Sequence, residues 1–256
     1  MPWRRRYTPD LSVLIPFRDD HEHRTEVFNW LLRFWESQLE AEIVIGHYDG
    51  SPFSKAIAVD DAAARACGRI FAILDADCWM DPNVIEGCVW SILKAQEECR
   101  NLWYVPYRHL WRINERTTQH ILHSDPCRPY DFPSPPPPSD IDHVGGEGYG
   151  HQYGALALIV PRDAFWLVGG FDPRFISWGS EDASFMHSLD TLYALHENTP
   201  NDVLHLWHQR IGKIDDHASR QWVGQSTGNV NARLGQRYER ASGDPTLMRS
   251  LIAERP

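Results

Sequence analysis

The sequence predicts an α/β fold, with a mostly parallel sheet flanked by helices in a single domain. Short apolar runs alternate with segments of helical periodicity between residues 11 and 98, and the composition, 42% hydrophobic and 23% charged, is typical of a globular chain. Strands that alternate with helices are joined by right-handed crossovers into a largely parallel sheet, whose ligands bind beyond the carboxyl ends of the strands. The residues that directly follow each strand are therefore the candidates for a functional site.

The first half of the chain supplies three pairs of strand and helix. Uninterrupted apolar runs indicate the strands, and helical periodicity or a run of alanines indicates the helices. Asp81 is a favourable N-cap for the third helix, and Pro82 suits its first position. The predicted strands are residues 11–15, 42–45 and 70–74, and the predicted helices are residues 22–38, 56–67 and 82 to about 98.

A long segment, residues 125–150, is predicted to lack regular structure, because its prolines remove backbone donors and its glycines loosen the chain. We interpret it as a mobile lid rather than a linker between domains, since a buried strand resumes at residues 155–160. Further predicted elements are helices at residues 163–167, from Glu181 onward and at 230–240, and a strand at 203–207. The predicted domain spans residues 1–212, and residues 213–256 form a C-terminal helical tail without assigned chemistry.

Charge and composition exclude several classes of protein. The 35 acidic and 25 basic residues give a formal charge of -10, which excludes a generic nucleic-acid-binding protein because phosphate contacts need a cationic surface. Five cysteines without a C-x-x-C pair favour a reducing compartment. No run approaches the roughly 20 apolar residues of a membrane helix, so we expect no transmembrane segment and a cytoplasmic protein.

The third predicted strand ends in Asp75-Ala76-Asp77. Side chains two residues apart on an extended segment point the same way, so both carboxylates could face one divalent cation. An acidic turn of this kind is often merely solvated. Its position at the end of a buried strand favours a metal site.

Two histidines, His205 and His208, follow the last predicted strand. Among 13 histidines such a spacing can arise by chance. If these imidazoles share a cation with the carboxylates, the mixed ligand set favours Mn²⁺ over Mg²⁺, and the absence of a cysteine ligand argues against structural zinc.

A third motif, Trp178-Gly179-Ser180-Glu181-Asp182, opens a predicted helix shortly after Gly169-Gly170-Phe171-Asp172. Two carboxylates at a helix start can simply interact with the helix dipole. The neighbouring glycines and Trp178 favour a second interpretation, in which a carboxylate beside an apolar wall acts as a base.

These motifs, in this order, resemble those of GT-A glycosyltransferases, which have a Rossmann-like sheet. The similarity is greatest to the β-1,4-galactosyltransferases, with further similarity to family 2 enzymes and polypeptide N-acetylgalactosaminyltransferases, and it covers about residues 11–208. The matching blocks are Ile15-Pro16-Phe17-Arg18 with His21-Glu22-His23, Phe53-Ser54-Lys55-Ala56, Asp75-Ala76-Asp77, Trp178 to Asp182, and the pair His205 and His208.

The resemblance implies a role for each matching residue. Asp182 would be the catalytic base, with Glu181 beside it, and Mn²⁺ or Mg²⁺ would be bound by Asp77, His208, His205 and Asp75. The donor would be bound by Pro16, Phe17, Arg18, Lys55, Asp75, Ala76, Trp178 and Gly179, and we add Asp49, which lies outside the matching blocks.

The chain also departs from the galactosyltransferase motifs. Asp20 stands where those enzymes carry a second arginine, so part of the diphosphate recognition must differ. His205 replaces a methionine, which should tighten metal binding because an imidazole is a stronger ligand than a thioether. No secretory anchor is recognised, which fits a cytoplasmic enzyme of bacterial or viral origin.

The expected activity is metal-dependent transfer of a sugar from a nucleotide-sugar, a UDP-sugar, to a hydroxyl of a glycan, protein or small-molecule acceptor, with inversion. One alternative is a sugar-1-phosphate nucleotidylyltransferase, although Pro16-Phe17-Arg18 stands where such an enzyme would have a glycine-rich loop. Another is a non-catalytic carbohydrate-binding module that stacks sugars on tryptophans, which would leave the carboxylate and histidine motifs unexplained.

Overall fold

The structure, a computed structural model, describes residues 10–19, 23–128, 132–142, 156–177, 179–209 and 228–256. Within these ranges the helices are α1 (His23–Gln38), α2 (Lys55–Arg65), α3 (Pro82–Glu97), α4 (Glu115–Leu122), α5 (Arg162–Leu167), α6 (Glu181–Leu192), α7 (Gly228–Ala241) and α8 (Pro245–Ala253). The strands are β1 (Leu11–Pro16), β2 (Glu42–Gly46), β3 (Ile70–Leu74), β4 (Cys78–Trp79), β5 (Tyr104–Val105), β6 (His109–Arg112), β7 (Ala157–Pro161), β8 (Glu197–Asn198) and β9 (Asp202–His205).

The central sheet has six strands in the order β2-β1-β3-β7-β5-β8. β1 pairs in parallel with both β2 and β3, and β7 is the reversed strand, antiparallel to β3 and to β5. β1, β3 and β7 are buried along their whole length, which explains why they read as uninterrupted apolar runs. The predicted α/β class with a largely parallel sheet flanked by helices is confirmed.

A second sheet of three short strands, in the order β4-β9-β6, lies beyond the end of β3. β9 is antiparallel to β4 and parallel to β6, and this register puts His205 opposite both Cys78 and Arg112. The sequence predicts β9, at residues 203–207, but not the sheet to which it belongs. β4 has two residues and β6 four, too few for a periodic pattern to stand out.

Most predicted elements agree with the structure to within a few residues, and β3 agrees in full. The helix α3 begins as expected, since the Asp81 carboxylate accepts the N–H of Asn83 and Pro82 follows it. The sequence missed α4 and α8, both of which have a side-chain N-cap, from Asn114 and Asp244. These caps are the signals that could have found them.

The predicted loop at residues 125–150 is only partly described. Its described portions are irregular apart from a 3₁₀ turn at Pro138–Asp140 and a bridge between Ile113 and Ile141. Residues 129–131 and 143–150 lie outside the described residues, and the lid remains a prediction. Among the helices that are described, none has the length and apolar content to cross a bilayer.

Within the predicted C-terminal tail, α7 and α8 pack on α6 and are joined to the body of the protein by polar side chains. Tyr238 donates its hydroxyl to the buried Asp172 at 2.8 Å, and Arg174 bonds to the same carboxylate at 2.7 Å. Arg255 donates to the carbonyls of Val168, Gly169 and Gly170 at 2.9, 3.1 and 3.1 Å. These helices therefore support the segment that leads into α6. The boundary near residue 212 remains a prediction.

Candidate active site

The Asp75-Ala76-Asp77 motif forms a turn between β3 and β4. The N–H of Asp75 donates to the carbonyl of Leu156 at 2.9 Å, and the carbonyl of Asp75 accepts the N–H of Cys78 at 3.1 Å. The motif is thus bent, whereas its sequence predicted an extended segment. Its two carboxylates contact different groups: Asp75 contacts Lys55, and Asp77 contacts the two histidines. Ala76 is buried between them.

Asp77, His205 and His208 form a candidate metal site. One ligand atom from each lies within 4.8 Å of the others, and the His208 Nε2 and His205 Nε2 atoms are 3.2 and 3.8 Å from the Asp77 carboxylate. Asp75 does not belong to this group. The N–H of Leu206 donates to the carbonyl of Asp77 at 2.9 Å, so the backbone itself ties the histidine segment to the carboxylate turn.

The electrostatics of this group suit a divalent cation. Burial alone would raise the pKa of the Asp77 carboxyl, but His205, His208 and the nearby Arg24 together hold that pKa well below its usual range. Burial lowers the pKa of His205, which keeps its imidazole neutral and able to donate a lone pair. An ionised carboxylate together with imidazole nitrogens is a ligand set that Mn²⁺ and other borderline divalent cations bind.

Lys55, the first residue of α2, links the carboxylate turn to the start of α6. Its Nζ atom lies 2.6 Å from Asp75 Oδ1 and 2.8 Å from Asp182 Oδ1. The contact is possible because the N-cap of α2, Ser54, donates its hydroxyl to the carbonyl of Phe175 at 2.8 Å, and the N–H of Ser177 donates to the carbonyl of Phe53 at 2.9 Å. The segment before α6 is thereby fastened to the start of α2.

The carboxyls around Lys55 share a single positive charge. Burial raises the pKa values of Asp75 and Glu181 and raises the pKa of Asp182 to about 7, and in each case the charge of Lys55 opposes the shift. Burial would lower the pKa of Lys55, but Asp182 and Asp75 reverse this effect and keep the amine protonated. A carboxyl with a pKa near neutrality has the proton affinity that a general base requires.

The segment that carries Glu181 and Asp182 has an unusual backbone. Ser177, Gly179 and Ser180 have φ values of 68°, 112° and 71°, in the left-handed region that non-glycine residues rarely adopt. The Glu181 carboxylate accepts the N–H of Gly179 at 2.7 Å, which closes the turn. Glu181 is consequently buried and oriented by its own backbone. Trp178, the predicted apolar wall, lies outside the described residues.

The other predicted donor-binding residues occupy the ends of β1 and β2. Pro16 and Phe17 are buried, and the Phe17 ring stacks on Phe28 with centroids 3.9 Å apart. Arg18 is exposed, donates to the carbonyl of Gly50 at 2.9 Å and lies 5.4 Å from the centroid of the Phe53 ring. Asp49 is exposed after β2. These residues lie at the carboxyl edge of the sheet, and their role in donor binding remains a prediction.

Three residues near the site were not identified from the sequence. Arg24 Nε lies 3.5 Å from Asp77 Oδ2. The buried Thr118 on α4 accepts the N–H of Trp207 at 2.9 Å, which fixes the residue before His208. Burial raises the pKa of Tyr107, and the charges of Asp182 and Asp75 add to this effect, so this phenol stays neutral. Arg24 directly follows the His21-Glu22-His23 block, which was the available signal; Tyr107 and Thr118 had none.

No protein-family model matches the sequence, and no curated protein matches it. The fold is similar to that of solved structures. The catalytic domain of Drosophila β1,4-galactosyltransferase 7, in complex with xylobiose, is 15% identical over 82% of this chain and 78% of that one, with a TM-score of 0.45. The mannosyltransferase PcManGT from Pyrobaculum calidifontis, in complex with GDP-Man and Mn²⁺, is 14% identical over 97% and 69%, with a TM-score of 0.49.

A third similar structure is GalNAc-T7 with UDP, GalNAc and Mn²⁺, which is 13% identical over 95% of this chain and 54% of that one, with a TM-score of 0.49. The first two proteins are a galactosyltransferase and a mannosyltransferase.

Proposed function

We propose that the protein is a GT-A glycosyltransferase that moves a sugar from a nucleoside-diphosphate sugar to an acceptor hydroxyl. The observation that carries this proposal is the contact of one lysine with both halves of the site: Lys55 Nζ lies 2.6 Å from Asp75, next to the candidate metal ligands, and 2.8 Å from Asp182, the candidate base. A group that accepts a proton and a cation site for a leaving diphosphate must flank one reacting carbon in such an enzyme.

On the donor side, we propose a UDP-sugar bound against the carboxyl ends of β1 and β2. The candidate contacts are Pro16, Phe17, Arg18, Asp49, Lys55, Ala76, Trp178 and Gly179. The exposed guanidinium of Arg18 beside the Phe53 ring offers a charged and an aromatic surface to a nucleotide. Asp75 would act on the donor side through Lys55, which it holds at 2.6 Å.

We infer that Asp77, His205 and His208 hold a divalent cation, Mn²⁺ rather than Mg²⁺, because two of the three ligands are imidazoles. The chemistry that such a cation supplies is Lewis-acid stabilisation of the charge on a departing diphosphate. The chain's own contribution is to keep Asp77 ionised and His205 neutral, so that both are ready to coordinate without losing a proton first.

Asp182 is the proposed general base. As the acceptor oxygen attacks the anomeric carbon, its proton passes to the Asp182 carboxylate and the bond to the diphosphate breaks, with the electron pair leaving on the diphosphate oxygen. One base and one displacement give inversion at that carbon. Glu181, buried and fixed by the Gly179 N–H, is positioned to accept a hydrogen bond from a sugar hydroxyl. The protonated Lys55 holds Asp182 in place between turnovers.

The proposal is tested with the Asp182→Asn variant. The amide has almost the same shape but cannot take the proton, so hydrolysis of a UDP-sugar in the presence of Mn²⁺ should fall by on the order of 10²- to 10⁴-fold. Binding of UDP with Mn²⁺, measured by calorimetry, should stay within a few-fold of the unmodified protein. Asp163→Asn is the matched control, because Asp163 is an exposed carboxyl on α5 away from the site.

A panel of UDP- and GDP-sugars, scored for slow hydrolysis by the unmodified protein, identifies the donor.

Full activity in Asp182→Asn would show that Asp182 is not the base. Release of pyrophosphate from UTP and a sugar phosphate would instead identify a nucleotidylyltransferase. Glycan binding that needs no metal, with no affinity for any nucleotide, would identify a carbohydrate-binding module.

A further inference from the structure

Arg24, the second residue of α1, lies beside the candidate metal ligands. Its Nε atom is 3.5 Å from Asp77 Oδ2, and its guanidinium carbon is 5.8 Å from the centroid of the Phe17 ring. The side chain is 22% exposed, so it is neither sealed in the core nor free in solvent. It reaches the same carboxylate oxygen that His208 Nε2 approaches to 3.2 Å.

The hydrogen-bonding capacity of Arg24 is incompletely used. Its Nε is buried and has no hydrogen-bond partner among the described residues. The Nε lies in an ion pair with Asp77 but donates no hydrogen bond to it, and an unsatisfied buried donor is costly. An anion that accepts from Arg24 would remove this cost.

A cation at the Asp77 site and the guanidinium of Arg24 would compete for the same carboxylate. Asp77 is a single negative charge, approached by Arg24 and by both candidate metal-binding histidines. Two cations this close repel each other unless another anion lies between them. A diphosphate supplies that charge, and its oxygens match the planar donor array of a guanidinium.

The sequence lacks one arginine of the galactosyltransferase motif, and Arg24 lies close to that position. Asp20 stands where the galactosyltransferase motif has its second arginine, and Arg24 follows four residues later, at the start of α1. We propose that Arg24 binds the donor diphosphate in this chain, in place of the missing arginine. Before the cation and the donor bind, Arg24 forms an ion pair with Asp77. The inference rests on the proposed function.

The test uses the Arg24→Gln variant and three probes: Mn²⁺ alone, UDP with Mn²⁺, and uridine. Affinity for UDP with Mn²⁺, measured by calorimetry, should fall about 10- to 100-fold, the loss expected for hydrogen bonds to a charged group. Affinity for uridine should not change. Binding of Mn²⁺ alone, measured by electron paramagnetic resonance, should become several-fold tighter, because a competing positive charge has been removed from Asp77.

Arg33→Gln is the matched control, since Arg33 is exposed on the same helix. Arg24→Lys keeps the charge without the planar donor array and should lose less affinity for UDP than Arg24→Gln, which keeps the test open if the glutamine variant folds poorly. Unchanged affinity for UDP in Arg24→Gln would overturn the proposal. A loss of affinity for both Mn²⁺ and UDP in Arg24→Gln would also overturn it, because Arg24 would then only position Asp77 and would not bind the diphosphate. If the unmodified protein binds no nucleotide with Mn²⁺, the proposed function itself fails.

Discussion

At the scale of single residues, the main feature of the site is that one lysine is close to three buried carboxyls. Lys55 contacts Asp75 and Asp182 directly, and its charge also acts on Glu181. Burial raises the pKa values of all three carboxyls, and the single charge of Lys55 only partly offsets this effect. The same balance that strains this cluster electrostatically makes Asp182 a better proton acceptor than a solvated aspartate.

This balance predicts the pH dependence of the reaction. Burial, partly offset by Lys55, raises the pKa of Asp182 to about 7, and only the ionised carboxylate can accept a proton. The rate at saturating donor and Mn²⁺ should therefore increase as the pH rises towards 7 and level off above it. In Lys55→Met the opposing charge is gone, so the midpoint should move to higher pH. Donor binding, measured across the same pH range, is the control. A rate that does not change between about pH 5.5 and about pH 8.5 would contradict the assignment of Asp182 as the base.

At the scale of elements, α7 holds the strained segment that precedes α6. Asn231 donates to the carbonyl of Ile176 at 2.9 Å, and Gly235 faces Ser180, whose φ is 71°. A Cβ on Gly235 would lie 2.7 Å from the Ser180 Cβ. A glycine is therefore needed at this point of the helix, and α7 decides where the residue before Glu181 can lie.

Gly235→Ala should accordingly destabilise the protein by ~1–3 kcal/mol, the usual cost of an overpacked contact. It should also lower the turnover rate, because Ser180 directly precedes Glu181 and Asp182. The matched control is Gly87→Ala on α3, where an added Cβ meets nothing within 4 Å; that change should stabilise the protein by ~0.5–1 kcal/mol. Thermal unfolding of both variants checks the prediction, and equal shifts in the two would refute it.

At the scale of the whole molecule, the C-terminal helices complete a polar interface under the glycine-rich segment before α6. Arg255 donates to three successive backbone carbonyls there, and its Nε donates to the Tyr238 hydroxyl at 3.1 Å. Gly169 and Gly170 have φ values of 71° and 68°, which turn these carbonyls towards Arg255. The end of the chain thus stabilises a segment more than 80 residues earlier in the sequence.

Replacing Arg255 with methionine should cost ~1–3 kcal/mol of unfolding free energy, because the carbonyls of Val168, Gly169 and Gly170 would lose their donor. Arg249→Met, at an exposed position on α8, should change the stability by less than about 0.5 kcal/mol. Chemical denaturation of both variants measures the difference. If Arg255→Met unfolds at the same denaturant concentration as Arg249→Met, the carbonyl contacts contribute nothing.

The sequence by itself determined the order of the long elements and the residues at their ends. Periodicity located β1, β2 and β3 with α1, α2 and α3, because each is built from local patterns that a buried strand or an amphipathic helix requires. The sequence motifs also singled out Asp77, His205 and His208, which lie close together in the structure. The short strands β4, β5, β6 and β8 carry too few residues for such a pattern.

Only the tertiary structure decided which charged side chains contact each other. Lys55 and Asp182 are 127 residues apart, and Arg24 meets Asp77 across the end of the sheet. The sequence assigned Lys55 to the donor and Asp75 to both the donor and the metal, and it did not predict that these two residues contact each other, at 2.6 Å. Contacts of this kind depend on strand order and on burial, which raises or lowers the free energy of each charge according to its neighbours in space. Neighbours in sequence do not contain that information.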